Sequence, residues 1–487
     1  MGFERSESAV AVLGLEGFVL LAAVEVDGEL HQLVETQATT VGCSGCGARA
    51  VSKGRRRTKV RDLSCGGRPV VVVWAKRLWR CEDADCDVRS WSETSPLIAP
   101  RASLTERARA EACRRVGRDN HAVAQVGRSL GVGWWTVMNA VRDYGNPLVD
   151  DPDRIGAVGG LGLDETAWLR ANATRHTAFL TGFVDILAGR LLDIVAGRSA
   201  KVVEDWLANR PEAWLAGVHT VAIDPHRGYA NGVAEKLAHA TLVIDPFHAV
   251  RLANMAIDDV RRRVQQDELG HRGRKGDPLY GIRRLLLRAN ERLSDHARSR
   301  LEAGLAAGDP LDEVLDTWLA KEALRHMYAA DTLVEAARRF DAFVKEAKSS
   351  SVPELHRLAK TMSRWRTEVL AHHRSGASNG PTEAVNLLIK KVLRVAHGFR
   401  NFDNYRLRLL LHCGVRWQTP AATRIRGRAP RLVAWTQEKC TRSAQGGDSR
   451  SIWGHGITMG KRSAASHCVV RGPMSDIIRP TQPRTIR

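Results

Sequence analysis

The chain has 487 residues, 44% of them hydrophobic and 26% charged, a composition that excludes a disordered polymer and allows roughly two to four folded domains. Lysine and arginine outnumber aspartate and glutamate by a formal +20, which makes a polyanion the expected partner, since each neutralised phosphate releases counterions. No apolar run approaches the roughly 20 residues that span a bilayer; the best one, Ala9 to Val24, is interrupted by Glu16 and two glycines, and the start MGFERSESA lacks the pattern of a secretory leader.

In chain order, residues 8–40 alternate apolar and polar and turn at Asp27-Gly28, which predicts a β-hairpin. Two close pairs among the nine cysteines follow: Cys43 with Cys46, and Cys81 with Cys86. An odd total with paired spacing points to a reducing compartment and to one tetrahedral structural zinc ion. Four protein ligands leave no open position for catalysis; Cys65 is a rival ligand. Between the pairs lie a basic run with Arg55, Arg56, Arg57, Lys59 and Arg61, and a strand-like segment from Pro69 to Trp74. We expect this hairpin and zinc finger to occupy residues 1–98.

Residues 101–148 are helical in pattern and break at Gly131. Ala122, Val123 and Val126 would pack a first helix, and Val137, Met138 and Val141 the inner face of a second one starting at Trp134. That is the layout of a helix-turn-helix whose second helix enters the major groove, with Trp134, Trp135 and Asn139 as candidates to face DNA and core packing as the alternative for either tryptophan, although an ordinary helical hairpin shares the layout.

After an acidic linker the pattern changes to short buried strands. Residues 155–250 read as strand, hairpin, helix, strand, helix, strand, an α/β domain with a mixed sheet. Asp164 and Asp224 end two of the strands, where carboxylates are well placed for magnesium or manganese. A turn cap is the plain alternative for each, as for Asp185, Asp193 and Asp245. A helix is expected near 232–240. Residues 251–375 are almost wholly helical, an insertion, and residues 376–418 return to the α/β domain. There, Gly380 and Pro381 start a helix. Glu383, Asn386, Lys390 and Arg394 share one stripe of it, and Val385, Leu388, Val392 and Ala396 the core side. Lys390, Lys391 and Arg394 would hold backbone phosphates near the acid. Residues 419–487 are rich in Arg, Ser and Gly and read as a poorly ordered basic extension.

The strings CSGC with CEDADC, LGLDE, VAIDPHRGY, VIDPFHAV, SNGPTEAVNLLIKK and HGFRNFDNYRLRLLL together resemble those of the ISL-three insertion-sequence family of DDE transposases, from about residue 10 to 418. The resemblance implies an N-terminal zinc finger, a helix-turn-helix and an RNase-H-like catalytic domain broken by a long helical insertion. It implies that Asp164, Asp224 and Glu383 form a triad for two magnesium or manganese ions, with Asp245 and His248 beside it or on DNA. Ala384 departs from the pattern, since a Gly often follows the acid. The implied activity is binding of terminal inverted repeats, then metal-dependent DNA cleavage and strand transfer, with self-association on double-stranded DNA in a prokaryotic cytoplasm and no membrane partner. A catalytically inactive DNA-binding regulator, a defective copy, or a structure-selective nuclease that cuts without joining are the rival expectations.

Overall fold

A computed structural model describes residues 13–37, 39–174 and 176–418. The expected basic extension, 419–487, lies outside the described residues. No helix among the described residues is long and apolar enough to cross a membrane.

The first sheet grows from the predicted hairpin. Strands β1 (Phe18–Val26) and β2 (Glu29–Thr36) pair antiparallel around Asp27 and Gly28, both at positive φ. The basic run is itself a strand, β3 (Val51–Cys65), folded back on β4 (Arg68–Arg80), with the short β5 (Ser90–Ser92) on the edge of β4. β2 runs parallel to β4, a pairing across some forty residues of chain that local pattern does not reveal. Phe18, Val34, Val60, Val72 and Trp74 form its core.

Three helices follow: α1 (Glu106–Gly117), α2 (Val123–Leu130) and α3 (Trp134–Val149). Gly131 ends α2 at φ +67°, the left-handed conformation that favours glycine. Val123, Val126, Val137, Met138 and Val141 are buried, as their spacing predicts. Asp62 of β3 accepts from Thr105 Oγ1 at 2.6 Å and pairs with Arg107, which ties the first sheet to α1.

The second sheet has strand order β10-β9-β6-β7-β8. β6 (Gly160–Leu169), β7 (Ala178–Asp185) and β8 (Arg190–Ala196) form an antiparallel meander, and β9 (Thr220–Ile223) and β10 (Thr241–Ile244) add parallel to β6. This is the RNase-H-like order. The connections carry α4 (Ala200–Ala208), α5 (Glu212–Ala216) and α6 (Arg227–Ala234). The helix expected near 232–240 therefore begins at Arg227 instead. Within it, Gly232 sits where a Cβ would meet Ala200 O at 2.7 Å, so α6 relies on the missing side chain to pack on α4.

The insertion opens with α7 (Pro246–Leu269), directly after β10, and continues through α8 (Pro278–Leu286), α9 (Asp295–Gly308), α10 (Glu313–Tyr328), α11 (Leu333–Ser349), α12 (Pro353–Arg364) and the short α13 (Arg366–Leu370) and α14 (His372–Ser375). Its core is continuous with one face of the sheet, from Val221 and Ile223 through Ala253 and Ile257 to Phe340 and Leu355. Arg263 of α7 clamps Glu313 and Glu354 at 2.9 and 3.1 Å.

The chain returns through α15 (Gly380–Val395) and α16 (Phe402–Cys413), which cover the other face of the sheet. Leu180, Val184, Leu191 and Ile194 of the meander share one core with Val385, Ile389, Tyr405 and Leu409, and also with Val126 and Val137 of the three-helix unit. Side chains on α16 meet α1 and α3 closely: a Cβ at Gly117 or at Gly145 would lie 2.9 Å from Leu411.

Candidate functional site

Strand register builds the site. Leu163 of β6 pairs with Ile223 of β9, and Ile223 with Ile244 of β10. The next residues, Asp164, Asp224 and Asp245, therefore leave three parallel strands at one level. Asp224 and Asp245 end their strands as predicted. Asp164 does not: β6 runs on to Leu169 against β7, and Asp164 sits where pairing with β9 stops.

α15 crosses above this row. Its approach is set by Gly162, two residues before Asp164 on the same face: a Cβ there would lie 2.2 Å from Thr382 Oγ1 and 2.7 Å from Ile186 Cγ2. Asn386 of α15 then donates through Nδ2 to Asp164 Oδ2 and accepts from Thr166 Oγ1 at 3.1 Å. The Asp164 Oδ1 atom accepts the Glu165 amide at 2.7 Å. Glu383, one turn before Asn386, lies with Asp224 around one imidazole: His248 Nε2 is 2.7 Å from Asp224 Oδ1 and 3.2 Å from Glu383 Oε1. Residues 164, 224, 248 and 383 are thus brought together.

Electrostatics follow from the crowding. Burial, then the Asp224 charge, push the Asp164 carboxyl up to about 7, against the pull of the Glu165 amide. Burial works against charge on His248, but its contact with Asp224 outweighs that and raises it. Asp245 plays a different part: its Oδ2 accepts the Phe247 amide at 2.9 Å, capping α7, and its Oδ1 accepts the Asn379 amide at 2.8 Å, which anchors the start of α15. Asp185 and Asp193 are also structural, the first capping a turn at Leu187 and Ala188, the second bonded to Trp206 and Arg406. A cleft of about 210 Å³ opens beside Asp224 and His248, lined also by Glu165, His226, Tyr229 and Arg251.

The core side of α15 differs from the expected one. Val385, Ile389 and Val392 are buried, whereas Leu388 is 38% exposed and Asn386 only 5%. The buried stripe is turned because the helix must bring Asn386 onto Asp164. Lys390, Lys391 and Arg394 are exposed, as expected. In the sequence Asn386 stands out only as one member of the polar stripe, and Asn379 does not stand out at all. The small residue two positions before Asp164 in LGLDE is the one local trace of a helix packed there.

The four cysteines also converge. The Sγ atoms of Cys43, Cys46, Cys81 and Cys86 lie within 4.8 Å of one another, with Cys43 to Cys86 at 3.7 Å and Cys46 to Cys81 at 3.5 Å. A tetrahedral Zn–S distance near 2.3 Å requires sulfur separations of about 3.8 Å, so the set fits one structural zinc. The amides of Gly45 and Cys46 hold the Cys43 thiol down at about 7. The Ala48 amide draws Cys46 the same way and is the largest single influence on it, but the Cys81 sulfur, burial, the Cys86 sulfur and Asp83 together outweigh it and lift Cys46 to about 12. Cys65 packs with the first sheet instead and is not a ligand.

Arg55, Arg56, Arg57 and Lys59 are exposed along β3, with Arg55 paired to Glu35 at 3.0 Å. On α3, Trp135 is 64% and Trp134 41% exposed, so neither is core, and Asn139 faces out beside Arg142.

Three family models match the chain. One described as "Transposase" covers residues 161–409, one described as the zinc-finger of transposase IS204/IS1001/IS1096/IS1165 covers 39–86, and one described as the helix-turn-helix domain of transposase family ISL3 covers 93–145. Over 376 residues the chain is 25% identical to the transposase for insertion sequence element IS1001 of Bordetella parapertussis, covering 75% of this chain and 87% of that one. It is 26% identical over 292 residues to the transposase for insertion sequence element IS1557 of Mycobacterium tuberculosis, where the match spans 56% of this chain and 64% of its relative, under two thirds. With the catalytic-domain model covering half the chain and the two flanking models falling on the cysteine cluster and the three helices, the chain belongs to the ISL3 family of transposases.

Proposed function

We propose that this protein binds the terminal inverted repeats of its own insertion sequence in the bacterial cytoplasm, cleaves a DNA strand there and joins the freed 3′ hydroxyl to target DNA. The observation that carries this reading is the meeting of Asp164, Asp224 and Glu383, far apart in sequence, around His248. An all-oxygen donor set in which the Asp224 and Glu383 charges help raise the proton affinity of Asp164 suits hard divalent cations. Magnesium or manganese ions held by these three residues would supply the Lewis acidity for both in-line displacements at phosphorus.

The other parts follow from the chain's own residues. Asn386 fixes one oxygen of Asp164, and His248 holds Asp224 and Glu383 in register. Lys390, Lys391 and Arg394 grip phosphates along α15. The zinc-stapled hairpin, with Arg55, Arg56, Arg57 and Lys59, and the helix α3, with Trp135 and Asn139, read the repeat; two ends are drawn together by self-association.

The test uses plasmid DNA carrying the element ends. Asp164→Asn, Asp224→Asn and Glu383→Gln should each bind the ends with unchanged affinity and lose magnesium- or manganese-dependent cleavage. A wild-type chain that binds but never cleaves under any divalent metal would instead be a regulator or a defective copy. Cleavage without joined product would make it a nuclease.

A further inference from the structure

The far end of α15 holds a second feature. Between α3 and the turn from α15 to α16 lies a cavity of about 380 Å³, lined by Trp134, Trp135, Met138, Phe399, Arg400 and Asn404 among others. The volume is at the lower end of the range for small-ligand pockets. Its floor is apolar and aromatic. Its rim is cationic: Arg400 is exposed, and the Arg142 guanidinium stands 5.8 Å over the Trp135 ring. Two adjacent tryptophans rarely stay this exposed on a surface without a partner. The walls are fixed in relation to each other, because Arg142 of α3 donates to Asn404 Oδ1 of α16 at 3.0 Å and Arg408 to Asn120 Oδ1 at 3.2 Å.

We infer that this pocket holds one DNA base turned out of the stack, its ring against Trp134 and Trp135 and its phosphate on Arg400. The inference rests on the end-binding reading above and adds to it a specific ligand. An apolar aromatic floor with a cationic rim matches a single nucleotide, a π-face joined to an anion, better than a continuous duplex or an apolar peptide. The location agrees. Along helix α15, the 13 steps from Glu383 to Ala396 at the pocket cover about 20 Å, with Lys390, Lys391 and Arg394 exposed on the way. That is about six base pairs of duplex at 3.4 Å each. A turned-out base would fix the register of the end on the protein and so the phosphate presented to the carboxylates.

The experiment exploits the cost of unpairing. A base already mismatched is cheaper to extract, so a mismatch at the right position tightens binding. Full-length protein is titrated with repeat duplexes carrying a single mismatch at each position within about ten pairs of the cleaved end. Wild type should bind one of them at least about tenfold more tightly than the paired duplex. Trp135→Ala should abolish that gain and Trp135→Phe retain it. If the paired repeat is bound but no mismatch tightens binding, the pocket proposal falls and the end-binding reading survives. If the repeat is not bound at all, both fall. If Trp135→Ala keeps the gain but weakens self-association of the DNA-free protein, the pocket receives a second copy and the proposal is overturned.

Discussion

Asp164 and Asp224 stand side by side on neighbouring parallel strands, each following one member of the last register pair, Leu163 and Ile223. His248 serves Asp224, and Asp164 has the Asn386 amide. Two acids at this spacing repel, and the effect is measurable.

The Asp164 carboxyl, raised to about 7, holds its proton more tightly in the folded chain than in the unfolded one. Its contribution to stability is therefore greatest at acid pH and is lost as pH rises through about 7, at a cost of a few kcal/mol, since one unit is about 1.4 kcal/mol. Thermal denaturation in chelator from pH 5 to 8 should show the loss, and Asp164→Asn should flatten the slope. Magnesium should restore stability chiefly at the alkaline end. A slope identical in the variant would exclude this carboxyl as the source.

Gly162→Ala places a methyl group against Thr382 and Ile186. Overpacking of this kind costs about 1–3 kcal/mol, and here it also lifts Glu383 and Asn386 away from Asp164. We expect cleavage to drop at least about a hundredfold, because small misplacements at the reacting centre are costly, while end binding by gel shift stays near wild type.

Zinc content should be one ion per chain, read by metal analysis after exhaustive dialysis. Cys81→Ser, or strong chelation, should release it and weaken end binding. The mixed sheet should keep its own melting transition, because the cysteine cluster has a small core of its own with Ala48, Val88 and Trp91.

The phosphate grip proposed along α15 predicts a salt signature. Replacing Lys390, Lys391 and Arg394 with Ala leaves up to three phosphates without a cationic side chain, and the slope of log affinity against log salt should fall by about 0.9 for each such phosphate. An unchanged slope, by fluorescence anisotropy over a salt titration, would place the DNA elsewhere.

Much of this was legible in the chain because burial leaves a pattern. LGLDE, VAID and VIDP read as buried strands, and the cysteine spacing read as a zinc cage. What local pattern hides is which of several similar acids meets which helix. Asp224 and Asp245 have the same neighbours in sequence, yet one faces His248 and the other caps α7. The helix expected near 232–240 starts at Arg227, and the fold uses Gly232 inside it to seat α6 on α4. The turned face of α15 follows from Asn386 reaching Asp164, a contact across more than two hundred residues. Pairing of β2 with β4 is hidden for the same reason.

The seating of Gly117 and Gly145 on Leu411 has a consequence for modularity. The three helices matched by the helix-turn-helix model share their core with α15, α16 and the meander. Excised alone, they would expose the apolar face that Leu411 and its neighbours now cover. Nor can they be exchanged for those of another element without their matching α16 surface. On the proposed reading, the end sequence accepted and the machinery that acts on it would thus be inherited as one piece, and a change of specificity would arise by substitutions on the outer face of α3 rather than by shuffling of a DNA-binding domain.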